Sequence, residues 1–147
     1  MKRKGNFYEQ KFFTKALEMG LEVFIPLGDY LPQDCLLMNT YGRIFKVQIK
    51  GTNEKTKDPS RGGLGRYMVT TASGSCGKES IDCTKVDVLA AYIESLDIFY
   101  NIPCLELDSA KRISLYPHNI DSKAKHEKFK ESWEAYKISW EIWFFDC

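Results

Sequence analysis

The chain has 147 residues, 44% hydrophobic and 28% charged, with a formal net charge of +1. This length suits a single domain, residues 1–147, and leaves little room for a second core. The near-neutral charge argues against a protein that coats nucleic acid through bulk charge. Because no run of 18 or more apolar residues occurs, we expect no membrane association and a cytoplasmic protein.

The N-terminal segment predicts a helix followed by a strand. Apolar side chains recur at three- and four-residue steps across residues 6–19, and Gly20 follows as a helix stop. Glu9 lies one turn before two phenylalanines, so we expect its side chain to point toward a sheet edge. An exposed helix glutamate is the alternative. Residues 21–26 then read as a first strand.

A β-hairpin is predicted next. Residues 35–38 are joined to residues 45–47 of the strand 44–50 through turn residues 39–43. This hairpin would bring Asp34, which precedes its first strand, to the same sheet edge as the end of its second strand.

The second hairpin strand ends in a polar pattern. Period-two alternation places Gln48 and Lys50 on one face of the sheet and Ile49 on the other. The amide oxygen of Gln48 and the ammonium group of Lys50 are therefore expected on the same side of the sheet. A solvated strand that happens to show Gln and Lys is the alternative, because short motifs match by accident.

A long, polar, glycine-bearing loop is predicted over residues 51–66. Between Arg43 and Arg66 seven basic residues face two acidic ones, a local charge of +5. We expect this stretch to lie along nucleic-acid phosphates and to become ordered on binding; an ordinary solvated loop is the alternative. The expected phosphate contacts are Lys55, Lys57, Arg61 and Arg66.

The C-terminal half predicts strands followed by a helix. Asp87 reads as a structural carboxylate in preference to a catalytic one. The apolar runs 86–93 and 98–102 read as neighbouring buried strands, although Ala90 and Ala91 also suit a helix. The remaining predicted elements are a short strand at 67–70, a last strand at 113–117, a charged helix at 123–137 and an aromatic tail at 138–145. The tail either packs as core or forms a patch that another subunit covers.

The cysteine and histidine content indicates neither a disulfide framework nor a zinc site. Five cysteines are present, an odd number, and none forms a C-x-x-C pair. We therefore expect reduced thiols. His118 and His126 are too isolated to form a metal site or a catalytic pair.

The residue types around the hairpin suit phosphodiester hydrolysis. That reaction brings water to an anion, and a divalent cation held by oxygen ligands stabilises the charge that develops. Asp34 would be the central ligand, with the Gln48 amide oxygen and the Ile49 carbonyl completing the edge. Lys50 would contact the attacking water or the scissile phosphate.

These features resemble the PD-(D/E)xK nuclease superfamily, in particular a small homing-endonuclease-like group in which Gln replaces the acidic residue before x-Lys. The resemblance implies a Mg²⁺-dependent double-strand DNA endonuclease, with Mn²⁺ as a substitute ion. It also implies an α/β restriction-endonuclease-like core, in which helices flank a mixed central β-sheet. The active-site positions of the family fall on Glu9, Asp34, Gln48 and Lys50.

One departure from the family pattern is visible. Gln33 interrupts the Pro-Asp dipeptide, and Asp29 is a nearby competitor for the role of Asp34. Two other functions remain open: a structure-selective nuclease such as a Holliday junction resolvase, and an inactive DNA-binding relative. Because a double-strand cut usually requires two active sites, we expect a homodimer or a higher homo-oligomer.

Overall fold

The computed structural model describes residues 2–28, 30–53, 55–56, 66–72 and 79–117. Its helix and strands are α1 (Lys2–Glu18), β1 (Glu22–Phe24), β2 (Cys35–Met38), β3 (Ile44–Thr52), β4 (Lys55–Thr56), β5 (Arg66–Thr70), β6 (Val88–Ile93), β7 (Ile98–Pro103) and β8 (Arg112–Leu115). Within the described ranges, no helix is long and apolar enough to cross a membrane.

The larger of the two sheets in the described residues is mixed and five-stranded, with the order β1-β2-β3-β6-β7. Strands β1, β2 and β3 run antiparallel, β3 and β6 run parallel, and β6 and β7 run antiparallel. The predicted hairpin is confirmed, with Cys35 opposite Val47. A smaller antiparallel sheet has the order β4-β5-β8. The predicted α/β class is therefore correct.

The two faces of the large sheet are covered by different layers. Strand alternation directs Phe45, Val47 and Ile49 of β3 toward one face, where they cluster with Phe12 and Phe13 of α1. The opposite face packs against the smaller sheet through a second cluster, which includes Leu89, Ala91, Ile93, Tyr67, Val69, Ile113 and Leu115. Burial of both faces explains why β6 consists almost entirely of apolar residues.

Asp87 fixes the parallel pair β3–β6, as its predicted structural role requires. Its Oδ2 accepts a hydrogen bond from the Lys46 backbone N–H at 2.8 Å. Its own backbone N–H donates to the Lys46 carbonyl, also at 2.8 Å. This reciprocal pair lies just before β6 begins, so it sets the register with which β6 enters the sheet.

Several element boundaries differ from the sequence prediction. Helix α1 begins at Lys2, four residues before the predicted start, because residues 2–5 contain no apolar side chain and apolar periodicity therefore gives no signal there. Gly20 ends the helix as predicted, with a φ of +86° that glycine adopts without strain. Strand β1 is shorter than predicted, since Leu21 is buried beside α1 instead of extending the strand.

Other predictions fall partly or wholly beyond the described ranges. Residues 90 and 91 belong to β6, so the helical alternative is wrong. The predicted loop 51–66 is shorter than expected, because β3 continues through Thr52 and β4 lies at 55–56. The segments 123–137 and 138–145 and both histidines lie outside the residues described.

The expectation of reduced thiols throughout is wrong, because Cys83 and Cys104 form a disulfide. They are 21 residues apart in sequence, but the pairing of β6 with β7 brings the loop before β6 next to the residue after β7, with a Cα–Cα distance of 5.6 Å. Spacing along the chain carries no signal of that contact. Among the described residues, the free cysteine is Cys35, which is buried.

Candidate active site

Asp34 is held against β3 by backbone and side-chain hydrogen bonds. Its N–H donates to the Val47 carbonyl at 2.8 Å, extending the β2–β3 ladder by one residue. Its Oδ2 accepts from the Ile49 N–H at 2.7 Å. The neighbouring Gln33 side chain donates to the Lys85 carbonyl at 2.7 Å. Gln33, which interrupts the Pro-Asp dipeptide, therefore anchors the segment that carries Asp34.

The carboxylates of Glu9 and Asp34 lie within electrostatic range of each other. Burial raises the pKa of Glu9, and the charge of Asp34 raises it further. Burial also raises the pKa of Asp34, while the hydrogen bond from Ile49 and the positive charge of Lys50 oppose that rise. The charge of Asp34 thus acts on an acidic residue of α1, and the charge of a basic residue of β3 acts on Asp34.

The same two carboxylates act on Cys35, the residue that follows Asp34. Burial raises the pKa of the Cys35 thiol strongly, and the charges of Asp34 and Glu9 raise it further. The thiol is therefore neutral near physiological pH and is not a thiolate nucleophile. Its sulfur forms part of the apolar cluster beneath α1.

Gln48 presents a buried oxygen that lacks a hydrogen bond. The residue is 7% exposed, and its Oε1 has no hydrogen-bond partner among the described residues. An orphaned buried acceptor costs about 1–3 kcal/mol, so such groups in native proteins usually have a function or a missing partner. The two-residue spacing places Gln48 on the same face of β3 as the half-buried Lys50.

This donor set fits a divalent cation of the Mg²⁺ type. Two carboxylates, and an amide oxygen with no hydrogen-bond partner in the described ranges, are hard oxygen ligands of the kind that Mg²⁺ prefers. In the described part of the chain, no three His, Cys, Asp or Glu side chains cluster in a way that could hold a metal. An ion here would therefore need neutral oxygens, such as those of Gln48 and Ile49, beside the carboxylates.

The sequence profile of the PD-(D/E)XK endonuclease family matches residues 1–138 of this chain. The chain belongs to the PD-(D/E)XK endonuclease family. No curated protein gives a significant match to this PD-(D/E)XK endonuclease. Among solved structures, it is similar to the bacterial homing endonuclease I-Ssp6803I, with 26% sequence identity and a TM-score of 0.70. That similarity covers 97% of this chain and 89% of the other.

The expected phosphate contacts of this PD-(D/E)XK endonuclease are described only in part. Lys57 and Arg61 lie outside the described residues, as does Asp29, the competitor of Asp34. Lys55 lies in β4 and Arg66 in β5, and their backbones pair at adjacent positions: Lys55 opposite Tyr67, and Thr56 opposite Arg66. The backbones of Thr56 and Arg66, which flank residues 57–65, therefore lie side by side.

A contact beside the site of this PD-(D/E)XK endonuclease joins two residues that no local sequence pattern pairs. Gly51, the residue after Lys50, lies directly beneath the ring of Tyr8, the residue before Glu9. One signal was available, because a glycine inside an apolar strand often marks a close approach to the backbone. The sequence could not name Tyr8 as the approaching group, since 43 positions separate the two residues.

Proposed function

We propose that this chain is a Mg²⁺-dependent endonuclease that hydrolyses double-stranded DNA. It would cut at specific sites, as a homing endonuclease does. The observation that carries the proposal is the placement of Asp34. Its carboxylate accepts a hydrogen bond from the backbone N–H of Ile49, the residue between Gln48 and Lys50. It also interacts electrostatically with Glu9 and with Lys50. Membership of an endonuclease family and the homing-endonuclease neighbour support it.

Each residue has a distinct role in the proposal. Glu9, Asp34, the Gln48 amide oxygen and the Ile49 carbonyl hold the ion, for which Mn²⁺ substitutes. A divalent cation held there supplies Lewis acidity and positive charge to the scissile phosphate. Lys50 places its ammonium group where negative charge develops as the oxygen of water bonds to phosphorus and a phosphorus–oxygen bond to the sugar breaks.

Charge balance explains why the ion and the DNA should bind together. With Gln48 in place of a carboxylate, the set carries one negative charge fewer than three carboxylates would. Metal affinity without DNA should therefore be weak, and a phosphate of the DNA would supply further oxygen ligands to the ion. The raised pKa values of Glu9 and Asp34 act in the same direction, because each carboxyl must lose its proton before it binds the ion.

Substitutions test the roles. Asp34→Asn and Lys50→Ala are each expected to lower the rate of DNA cleavage by at least about 100-fold, because each removes a charge required at the reacting phosphate. DNA affinity measured in EDTA should change little. Cleavage is followed with Mg²⁺, with Ca²⁺ in its place and after chelation, on duplexes selected from a randomised library.

Lys15→Ala is the matched control for Lys50→Ala, because Lys15 is an exposed lysine elsewhere in the described chain. This variant should cleave as the wild type does. Cleavage at the wild-type rate by either site variant would contradict the assigned roles. Cleavage that persists after chelation would contradict the requirement for a metal.

We also propose that the protein acts as a homodimer or a higher homo-oligomer, because two strands must be cut. Large apolar side chains exposed around β1 support this proposal, since such patches are uncommon on monomers. They are Phe24, Ile25, Leu27, Tyr30 and Leu31. Sedimentation at micromolar concentration should give a dimer or larger species. A monomer both alone and on DNA would exclude the proposal.

A further inference from the structure

The ring of Tyr8 occupies the space that a side chain at position 51 would fill. A Cβ atom built on Gly51 would lie 2.3 Å from Cδ2, 2.5 Å from Cε2 and 2.6 Å from Cγ of Tyr8. Carbon atoms in proteins do not approach so closely without bonding. The atoms concerned include Cγ, the ring atom nearest the backbone, so rotation of the ring alone cannot relieve the overlap. Helix α1 therefore approaches β3 as closely as it does because residue 51 is glycine.

The ring is also fixed from the side of β6. Tyr92, which pairs with Gly51 in the parallel register, packs edge-on against Tyr8 with ring centroids 5.6 Å apart. Tyr92 in turn stacks on Phe99 of β7 at 4.4 Å. One turn before Tyr8, the Lys4 ammonium pairs with Glu94 just after β6. These contacts hold the first half of α1 in one position over β3 and β6.

We propose that the Tyr8–Gly51 contact is a positioning device that sets Glu9 of α1 relative to Asp34 and Lys50. Tyr8 directly precedes Glu9, and Gly51 directly follows Lys50. Because a helix and a strand each move nearly as rigid units over one residue, any change of spacing at this contact moves Glu9 against Lys50 by a similar amount. The proposal rests on the nuclease function proposed above.

A purely structural contact and a positioning contact predict different results. A structural contact affects the amount of folded protein and leaves the turnover of each folded molecule unchanged. A positioning contact affects turnover, because an error of about 1 Å in the placement of a catalytic group costs on the order of 100-fold in rate. Both readings predict normal DNA affinity, since neither residue is assigned to a phosphate contact.

Gly51→Ala tests the proposal directly. We expect kcat to fall by about 100-fold, with KM for the selected duplex and DNA affinity in EDTA within about twofold of the wild type. Gly5→Ala is the matched control, because it makes the same change of residue type within α1. A Cβ at position 5 meets nothing within 4 Å. The kcat of Gly5→Ala should equal that of the wild type.

A second substitution tests whether the ring is the cause. Tyr8→Ala in the Gly51→Ala background removes Cγ, Cδ2 and Cε2, the three atoms that the new methyl group meets, so kcat should recover by about tenfold or more as the two changes compensate. A double variant no faster than Gly51→Ala would overturn the proposal. So would wild-type kcat in Gly51→Ala itself.

If Gly51→Ala does not melt cooperatively, the Tyr8 variants decide alone. Tyr8→Phe keeps the ring over Gly51, whereas Tyr8→Leu loses it, and we expect the Phe variant to cleave at least about ten times faster. Equal rates would overturn the proposal. Absence of cleavage by the wild-type protein would instead defeat the proposed function, and this inference with it.

Discussion

At the scale of single residues, Asp34 lowers the stability of the fold when it is ionised, although its proposed role is to bind a metal ion. It gains a hydrogen bond from Ile49 and the attraction of Lys50, yet burial dominates and raises its pKa. An ionised carboxylate there is less stable in the folded protein than in the unfolded chain. Ionisable residues whose burial lowers the stability of the folded protein are often found at functional sites, because activity requires them there.

We predict that Asp34→Asn raises the free energy of unfolding at pH 7–8, although it abolishes cleavage. A carboxyl whose folded pKa is raised destabilises the protein above that pKa, and the penalty disappears as the pH falls below its ordinary value of about 3.9. The gain of the variant over the wild type should therefore shrink toward acid pH. Urea unfolding across this pH range measures it.

Asp82→Asn provides a control of opposite sign. Hydrogen bonds from Thr84 lower the pKa of Asp82, so its carboxylate adds stability above the ordinary pKa and loses it as the pH falls through the folded value. This variant should be less stable than the wild type at neutral pH. A gain for Asp82→Asn, or none for Asp34→Asn, would contradict the electrostatic account.

At the scale of elements, helix α1 is defined by its ends as much as by its apolar face. Its last turn is followed by Gly20, whose φ of +86° is a left-handed conformation. Its first half carries Gly5, which has a helical backbone and open space around it. The two glycines therefore have opposite consequences, which sequence alone shows only for Gly20.

We predict that Gly20→Ala and Gly5→Ala change stability in opposite directions. Gly20→Ala should cost about 1 kcal/mol, because an L side chain is strained at positive φ. Gly5→Ala should gain about 0.5 kcal/mol, because alanine loses less backbone entropy in a helix. Denaturant unfolding measures both. The same sign for the two variants would contradict the helix boundaries described above.

At the scale of the whole molecule, strands distant in sequence are joined by the parallel pair β3–β6. Its register places Gln48 beside Leu89 and Gly51 beside Tyr92. The pairing of β6 with β7 then brings Cys83 and Cys104 together. The loop that contains Cys83 also provides the Lys85 carbonyl that Gln33 bonds, so this disulfide lies in the structure that supports the Asp34 segment.

We predict that loss of the Cys83–Cys104 disulfide lowers stability by about 3 kcal/mol, as the closure entropy of a loop of 21 residues suggests. Thermal unfolding with and without a reductant measures the effect in the wild type. Cys83→Ala should be less stable and insensitive to the reductant. Alkylation of both cysteines in the native protein without prior reduction would show that the bond does not form.

The sequence by itself determined the local elements and the proposed site residues. Period-two alternation identified the strand that carries Gln48 and Lys50, and the turn at residues 39–43 identified its hairpin partner. The sequence alone shows these features because side-chain direction and turn formation depend on residues that are neighbours in the chain. The resemblance then assigned Glu9 and Asp34 to the same site.

Only the tertiary structure decided which distant groups meet. Three contacts join positions far apart in sequence: the disulfide, the hydrogen bond from Lys46 to Asp87, and the contact of the Tyr8 ring with Gly51. Each depends on the order of strands in the sheet and on the spacing between helix and sheet. Those quantities follow from packing the whole core at once, so no local pattern of residues encodes them.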